Sequence, residues 1–191
     1  LILCCMRNEP PENSVKVIKL AEKYRKYGIA AVDLAGDEGS FPPEIHKKAF
    51  DMAYDYGLNI TVHAGETGIC SNILKPIKIL HADRIGHGLY AYKDRNTMDY
   101  LAENKVPLEM CPTSNLNTGA VSSYEEHPIK KYFDDGLNVT LNTDNRTVSD
   151  VTLTDEYMNI MTKLGFTFKD VVNVIENGIK ASFASDDIKK K

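Results

Sequence analysis

The chain has 191 residues, 42% of them hydrophobic, enough for one good core in a single domain spanning 1–191. A formal net charge of -4, with Lys189 to Lys191 as the one basic run, excludes the electrostatic footprint of a nucleic-acid binder. The sequence shows no signal-peptide pattern and no apolar run of spanning length, which reads as a soluble cytoplasmic protein without a membrane partner.

The first run, LILCCM (1–6), has the composition of a buried strand. Its Cys4 and Cys5 form no CxxC pair with each other or with Cys70 and Cys111, and all four read as reduced core thiols. Asn13 or Ser14 can cap the helical stretch VKVIKLAEKYRKY, and Gly28 stops it. IAAVDLA (29–35) is the second strand and runs out into Gly36, Asp37 and Glu38. Pro42 and Pro43 then open EIHKKAFDMAYDY, which Gly57 ends.

LNITVHA (58–64) alternates as a strand should and leads into His63 and Glu66, three residues apart and beside two glycines. DRIGHG (83–88) ends in His87 between Gly86 and Gly88, which are expected to clear space around it. The helical stretch NTMDYLAEN precedes VPLEMC (106–111), whose end carries Ser114 and Asn115. After HPIKKYFDD, the strand LNVTLNT (137–143) delivers Asp144 and Asn145, and the helical stretches LTDEYMNIMTKL and FKDVVNVIENGIKASFA follow.

The six strand-like runs begin roughly 23 to 31 residues apart, the period of a βα unit in a parallel sheet. Two architectures carry such alternation, an open doubly wound sheet or a (β/α)8 TIM barrel. Nearly every polar residue with chemical promise falls at the C-terminal end of a strand, several different strands contribute, and no GxGxxG loop is present. This distribution favours the α/β barrel, of which six strands are two short.

Each candidate has a bland alternative. His63 alone reads as a hydrogen-bonded strand-end histidine, His87 as part of a tight turn, and Asp144 with Asn145 as an Asx turn or helix cap. Together they suit a metal site with an acid, an orienting imidazole and a substrate-reading amide. His46 and His81 fall in helical stretches and His127 precedes Pro128 at a helix start, and all three are expected to be surface or packing residues.

DLAGDE (33–38), VHAGE (62–66), RIGHG (84–88), CPTSNLNTGA (111–120) and LNTDN (141–145), in this order, resemble the adenosine deaminase family of metal-dependent hydrolase barrels across nearly the whole chain. The resemblance implies a Zn2+ cofactor and a small-molecule purine nucleoside as substrate. It implies zinc ligation by His63 and Asp144, protonation of purine N1 by Glu66, and orientation or deprotonation of the attacking water by His87. Gly36 would offer its backbone N–H to purine N3. Asn145 stands where many family members have a second Asp reaching N7; an amide is always a donor, so the change keeps the contact. The family's HxH pair on the first barrel strand has no counterpart here. The six strands therefore correspond to barrel strands three to eight, a C-terminal portion expected to be inactive and to hold zinc weakly by itself.

Overall fold

In a computed structural model that describes residues 1–190, six strands form one all-parallel sheet whose spatial order is the chain order. They are β1 (Ile2–Met6), β2 (Ala31–Ala35), β3 (Asn59–Ala64), β4 (Arg84–His87), β5 (Leu108–Met110) and β6 (Val139–Leu141). The helices are α1 (Pro11–Tyr24), α2 (Lys47–Asp55), α3 (Ser71–Ile79), α4 (Arg95–Glu103), α5 (Pro112–Asn117), α6 (Ile129–Asp134), α7 (Arg146–Ser149), α8 (Leu153–Lys163), α9 (Phe168–Ala181) and α10 (Asp186–Lys189). All six expected strands form.

The period of two within each strand divides the sheet into two unlike faces. Ile60, Val62 and Ala64 of β3 join Val32, Leu34, Ile85, Leu108 and Val139 in a core closed by Ile18 of α1, Phe50 of α2, Ile73 of α3, Leu101 of α4 and Val174 of α9. The alternate residues Thr61 and His63 line the other, concave face together with Asp33, Arg84, Gly86 and Glu109. On that face Arg84 pairs with Glu109 at 2.7 Å and Thr61 donates to the same carboxylate at 2.9 Å. The interior of the curved sheet is thus polar, and its exterior is apolar under helices.

Four expectations need correction. LILCCM is not a buried strand: Ile2 and Met6 are about two-fifths exposed and Cys4 is exposed, because β1 is an edge strand and this side of it faces the open concavity. Only Cys5 and Cys111 are buried thiols. The first helix starts at Pro11, not at an Asn13 or Ser14 cap, since Pro sits well at a first helical position whose N–H has no partner anyway. Ser14 is instead buried one turn in, with its hydroxyl 2.9 Å from His46 Nδ1. His81 lies in no helix; it follows α3 at φ 59°, paired with Asp51 at 3.0 Å and stacked on Tyr54.

Helix α3 itself is absent from the sequence reading because Pro76 sits inside it, where proline removes a helical bond. The Pro76 carbonyl takes N–H groups from Leu80 and Ala82, and Ile73 on its first turn is fully buried. Tertiary burial outweighs the local penalty.

Candidate active site

Strand ends β2 to β6 bring Asp33, His63, Glu66, His87, Asn115 and Asp144 to one rim of the concavity, a cavity of about 390 Å³ being lined by Asp33, His63, His87 and Asp144 among others. The His63 ring stands 5.3 Å from the His87 ring, centroid to centroid. His63 Nδ1 lies 3.1 and 3.0 Å from the two oxygens of Asp33. Burial disfavours a charged His63, but the hydrogen bond and charge of Asp33, helped by Glu109 and Asp144, outweigh it and push the ring up to about 9. A carboxylate on Nδ1 orients the ring and leaves Nε2 as the free edge, the arrangement in which protein histidines bind metals.

Gly86 makes room for this ring, a role the sequence reading gave to the space around His87. A Cβ at residue 86 would come within 3.1 to 3.3 Å of His63 Cα, Cγ and Nδ1. Similarly, Gly65 has φ 74° and a Cβ there would meet Ile73 at 2.5 Å, so it makes room for the core of α3.

His87 closes β4 at φ 62° and Asp144 follows β6 at φ 55°, both in the left-handed region that non-glycine residues rarely occupy. Such strain persists only where surrounding contacts over-determine it, and it gathers at functional sites. His87 is buried, and burial lowers its pKa despite the opposing charge of Glu66. Its Nε2 lies 3.6 Å from Glu66 Oε2, and its Nδ1 lies 3.1 Å from the Asn115 amide nitrogen. That nitrogen also donates to Glu66 Oε1 at 3.2 Å. Asp144 Oδ2 accepts the Ser114 hydroxyl at 2.7 Å.

The remaining strand-end residues support the rim. Buried Glu38 accepts the Gly65 and Thr67 N–H groups and the Thr67 hydroxyl at 2.7 to 2.8 Å, clamping the loop that carries Glu66. Asp37 Oδ1 closes its own turn by accepting from Gly39 and Ser40. Arg7, fully buried, donates to the carbonyls of His63 at 2.7 Å and Phe41 at 3.1 Å. Gly36 turns the chain beyond β2 at φ 107°. Asn145 caps α7: its exposed side chain accepts the Thr147 and Val148 N–H groups at 3.1 Å through Oδ1, which leaves the amide NH2 free to donate elsewhere.

The sequence reading placed Asn115 among the strand-end residues with chemical promise but gave it no role, and it assigned no chemistry to Asp33 or His127. DLAGDE and CPTSNLNTGA already contained the first two. His127, placed among packing residues, is buried with Nε2 3.2 Å from Asn115 Oδ1.

Whether these residues fit a zinc ion is decided by their donors. The Nε2 edge of His63 and the second oxygen of Asp144 are the right types, but among the described residues no group of three or more His, Cys, Asp or Glu is arranged to hold a metal ion. The chain fits part of a zinc site.

Buried neutral histidines make the fold acid-sensitive. His46 Nε2 donates to the Arg7 carbonyl at 3.2 Å, so Nδ1 accepts from Ser14, and burial lowers its pKa. Burial drives His127 down to about 3. Folded pKa values below the unfolded value of about 6.5 mean stability that is whole above that pH and is lost as pH falls. The His63–Asp33 pair has the opposite sign and loses its contribution only between about 6.5 and 9. Urea midpoints should therefore drop from pH 6.5 to pH 5, at a rate of about 1.4 kcal/mol per pH unit for a group such as His127. His46→Gln should shallow that drop; an unchanged slope would count against this account.

A partial parallel barrel with a His, Asp and Glu rim at the C-terminal strand ends defines an amidohydrolase-type chain. Solved structures agree: adenine deaminase from Arthrobacter aurescens superposes with TM-score 0.93 at 29% identity, over 100% of this chain and 58% of that one. An amidohydrolase from Burkholderia ambifaria with bound Zn superposes with TM-score 0.92 at 27% identity, over 100% and 53%. The family profile described as adenosine deaminase matches residues 1–191, and the chain belongs to the adenosine deaminase family. An adenosine deaminase of Clostridium acetobutylicum is 59% identical over 99% of this chain and 56% of its own length. The chain thus spans about half the length of the curated relatives it matches.

Proposed function

We propose that these residues are the strand-three-to-eight part of a zinc-dependent hydrolase that converts adenosine and 2'-deoxyadenosine, with water, to the inosine nucleoside and ammonia, acting in cytoplasmic purine salvage. The observation that carries the reading is the joint placement of Glu66 and His87, 3.6 Å apart, beside a His63 ring oriented by Asp33. His63 and Asp144 would hold the metal. When bound, zinc supplies a Lewis acid that lets water ionise near neutral pH.

Each side chain then has a separable task. Glu66 gives a proton to purine N1, which weakens the ring's conjugation and makes C6 electrophilic. His87, with its proton on Nε2, orients the attacking water and stabilises the oxygen that C6 gains. The Gly36 N–H serves N3, and the free amide of Asn145 donates to N7. When the C6–N bond breaks, the amino group leaves as ammonia with the proton that the added hydroxyl gives up in becoming the C6 carbonyl.

Asn145→Ala should weaken binding and turnover by about 1–3 kcal/mol if N7 is left buried and unpaired. Asn145→Ser keeps an N-cap oxygen for α7 but is too short to reach N7, so it should behave as Asn145→Ala does. Recovery in the Ser variant would assign the residue to capping alone.

A second reading is deamination of adenine itself, favoured by the likeness to the Arthrobacter adenine deaminase. The 59% identity to the Clostridium enzyme supports the nucleoside instead. A panel of adenosine, deoxyadenosine and adenine with the full-length protein tests both. A higher kcat/KM for adenine overturns the nucleoside assignment, and tight binding of a purine analogue without product at any zinc level overturns catalysis.

A further inference from the structure

The hydrogen bonds behind the cavity rim form a chain whose polarity can be worked out from one unambiguous donor. The Ile129 backbone N–H donates to His127 Nδ1 at 3.3 Å. That ring nitrogen accepts, so in a neutral ring Nε2 carries the proton and donates to the Asn115 side chain at 3.2 Å. The Asn115 atom facing it must be the oxygen, and both amide hydrogens then point away, one toward Glu66 Oε1 at 3.2 Å and one toward His87 Nδ1 at 3.1 Å. His87 Nδ1 is therefore an acceptor too, and the ring's single proton sits on Nε2, 3.6 Å from Glu66 Oε2. Asn115 is fully buried and His127 nearly so, which keeps water out of the link between them.

We propose that His127 is a positioning residue for the acid–base pair, fixing the Asn115 amide and through it the Nε2–H tautomer of His87. Its link to catalysis rests on the deaminase reading; the tautomer does not. Rotating the amide by a half turn would bring Oδ1 against the Glu66 carboxylate and offer its NH2 to the His127 Nε2–H, and both contacts are repulsive. With His127 in place the amide has one orientation. Without its donor only the Glu66 contact still opposes the reversed amide, which gains a hydrogen bond whenever His87 carries its proton on Nδ1. Burial keeps His127 neutral at physiological pH, so the polarity does not reverse there.

The test is the ring 15N signature of His87 in the full-length protein labelled with 15N-histidine, where long-range 1H–15N correlations separate the two tautomers. The wild type should show His87 as Nε2–H, and an Nδ1–H pattern there overturns the proposal before any variant is made. His127→Phe, which lacks the donor, should shift His87 toward Nδ1–H. His127→Gln, whose amide can donate to Asn115 and accept from Ile129, should retain the wild-type pattern. A Phe variant with the wild-type signature, or a Gln variant that moves as far as Phe, overturns it. In turnover, His127→Phe should lower kcat tenfold or more with little change in KM, and His127→Gln should restore most of it; equal kcat in Phe and wild type removes the catalytic part. A wild type that deaminates no purine would refute the deaminase reading while leaving the tautomer result standing.

Discussion

Glu66→Gln in the full-length protein is expected to cut kcat by about a hundred- to ten-thousand-fold while KM stays close to wild type, the range that a positioned acid contributes. The substitution is a clean probe because of its neighbours. Gln keeps an oxygen to accept the Asn115 amide at the position of Oε1, so the loop held by Glu38 has no reason to move. On the proposed mechanism, what is lost is the proton for N1. Equal losses in kcat and kcat/KM would show that the contact operates in the transition state and not in substrate binding. If the variant retained most of the wild-type turnover, Glu66 would be no acid, and the pairing with His87 would have to be read as structural.

The second large effect concerns the metal. Residues 1–191 by themselves should hold no stoichiometric zinc against a competing chelator, because the proposed ligands His63 and Asp144 are two donors where catalytic zinc sites use three protein ligands. The loss should exceed the roughly 10–100-fold that removal of a single outer partner costs. Native mass spectrometry reads chain mass and bound metal in one measurement. One zinc retained per 21.3 kDa chain, with turnover of adenosine, would overturn both the ligand assignment and the expected inactivity of the isolated chain.

The strands and the convergence of their ends were legible in the sequence because both rest on local periodicity: LNITVHA alternates, and His63 falls on the inward phase. Roles that depend on distant partners were not. Asp33 matters through His63, thirty residues on, and His127 through Asn115, whose own partners are Glu66 and His87. Nothing in the spacing of those residues announces the contact. The glycines misled for the same reason: Gly86 and Gly88 flank His87 in sequence, whereas in space a Cβ on the one would meet His63 and on the other Leu108. LILCCM has a core composition, and only the position of β1 at the sheet edge shows that half of it faces the cavity.

The identity of chain order and strand order bears on how such a protein is made. Each βα unit docks on the unit synthesised just before it, so the pairings from β1 to β6 close only short loops and can form as the chain emerges from the ribosome. In a closed barrel, the seam between the last strand and the first is the exception. It joins the most distant parts of the chain and must wait for the end of synthesis. Because the polar rim draws on β2 through β6, it too is assembled late, and until the seam shuts the nascent sheet carries an unpaired edge that a chaperone has time to meet.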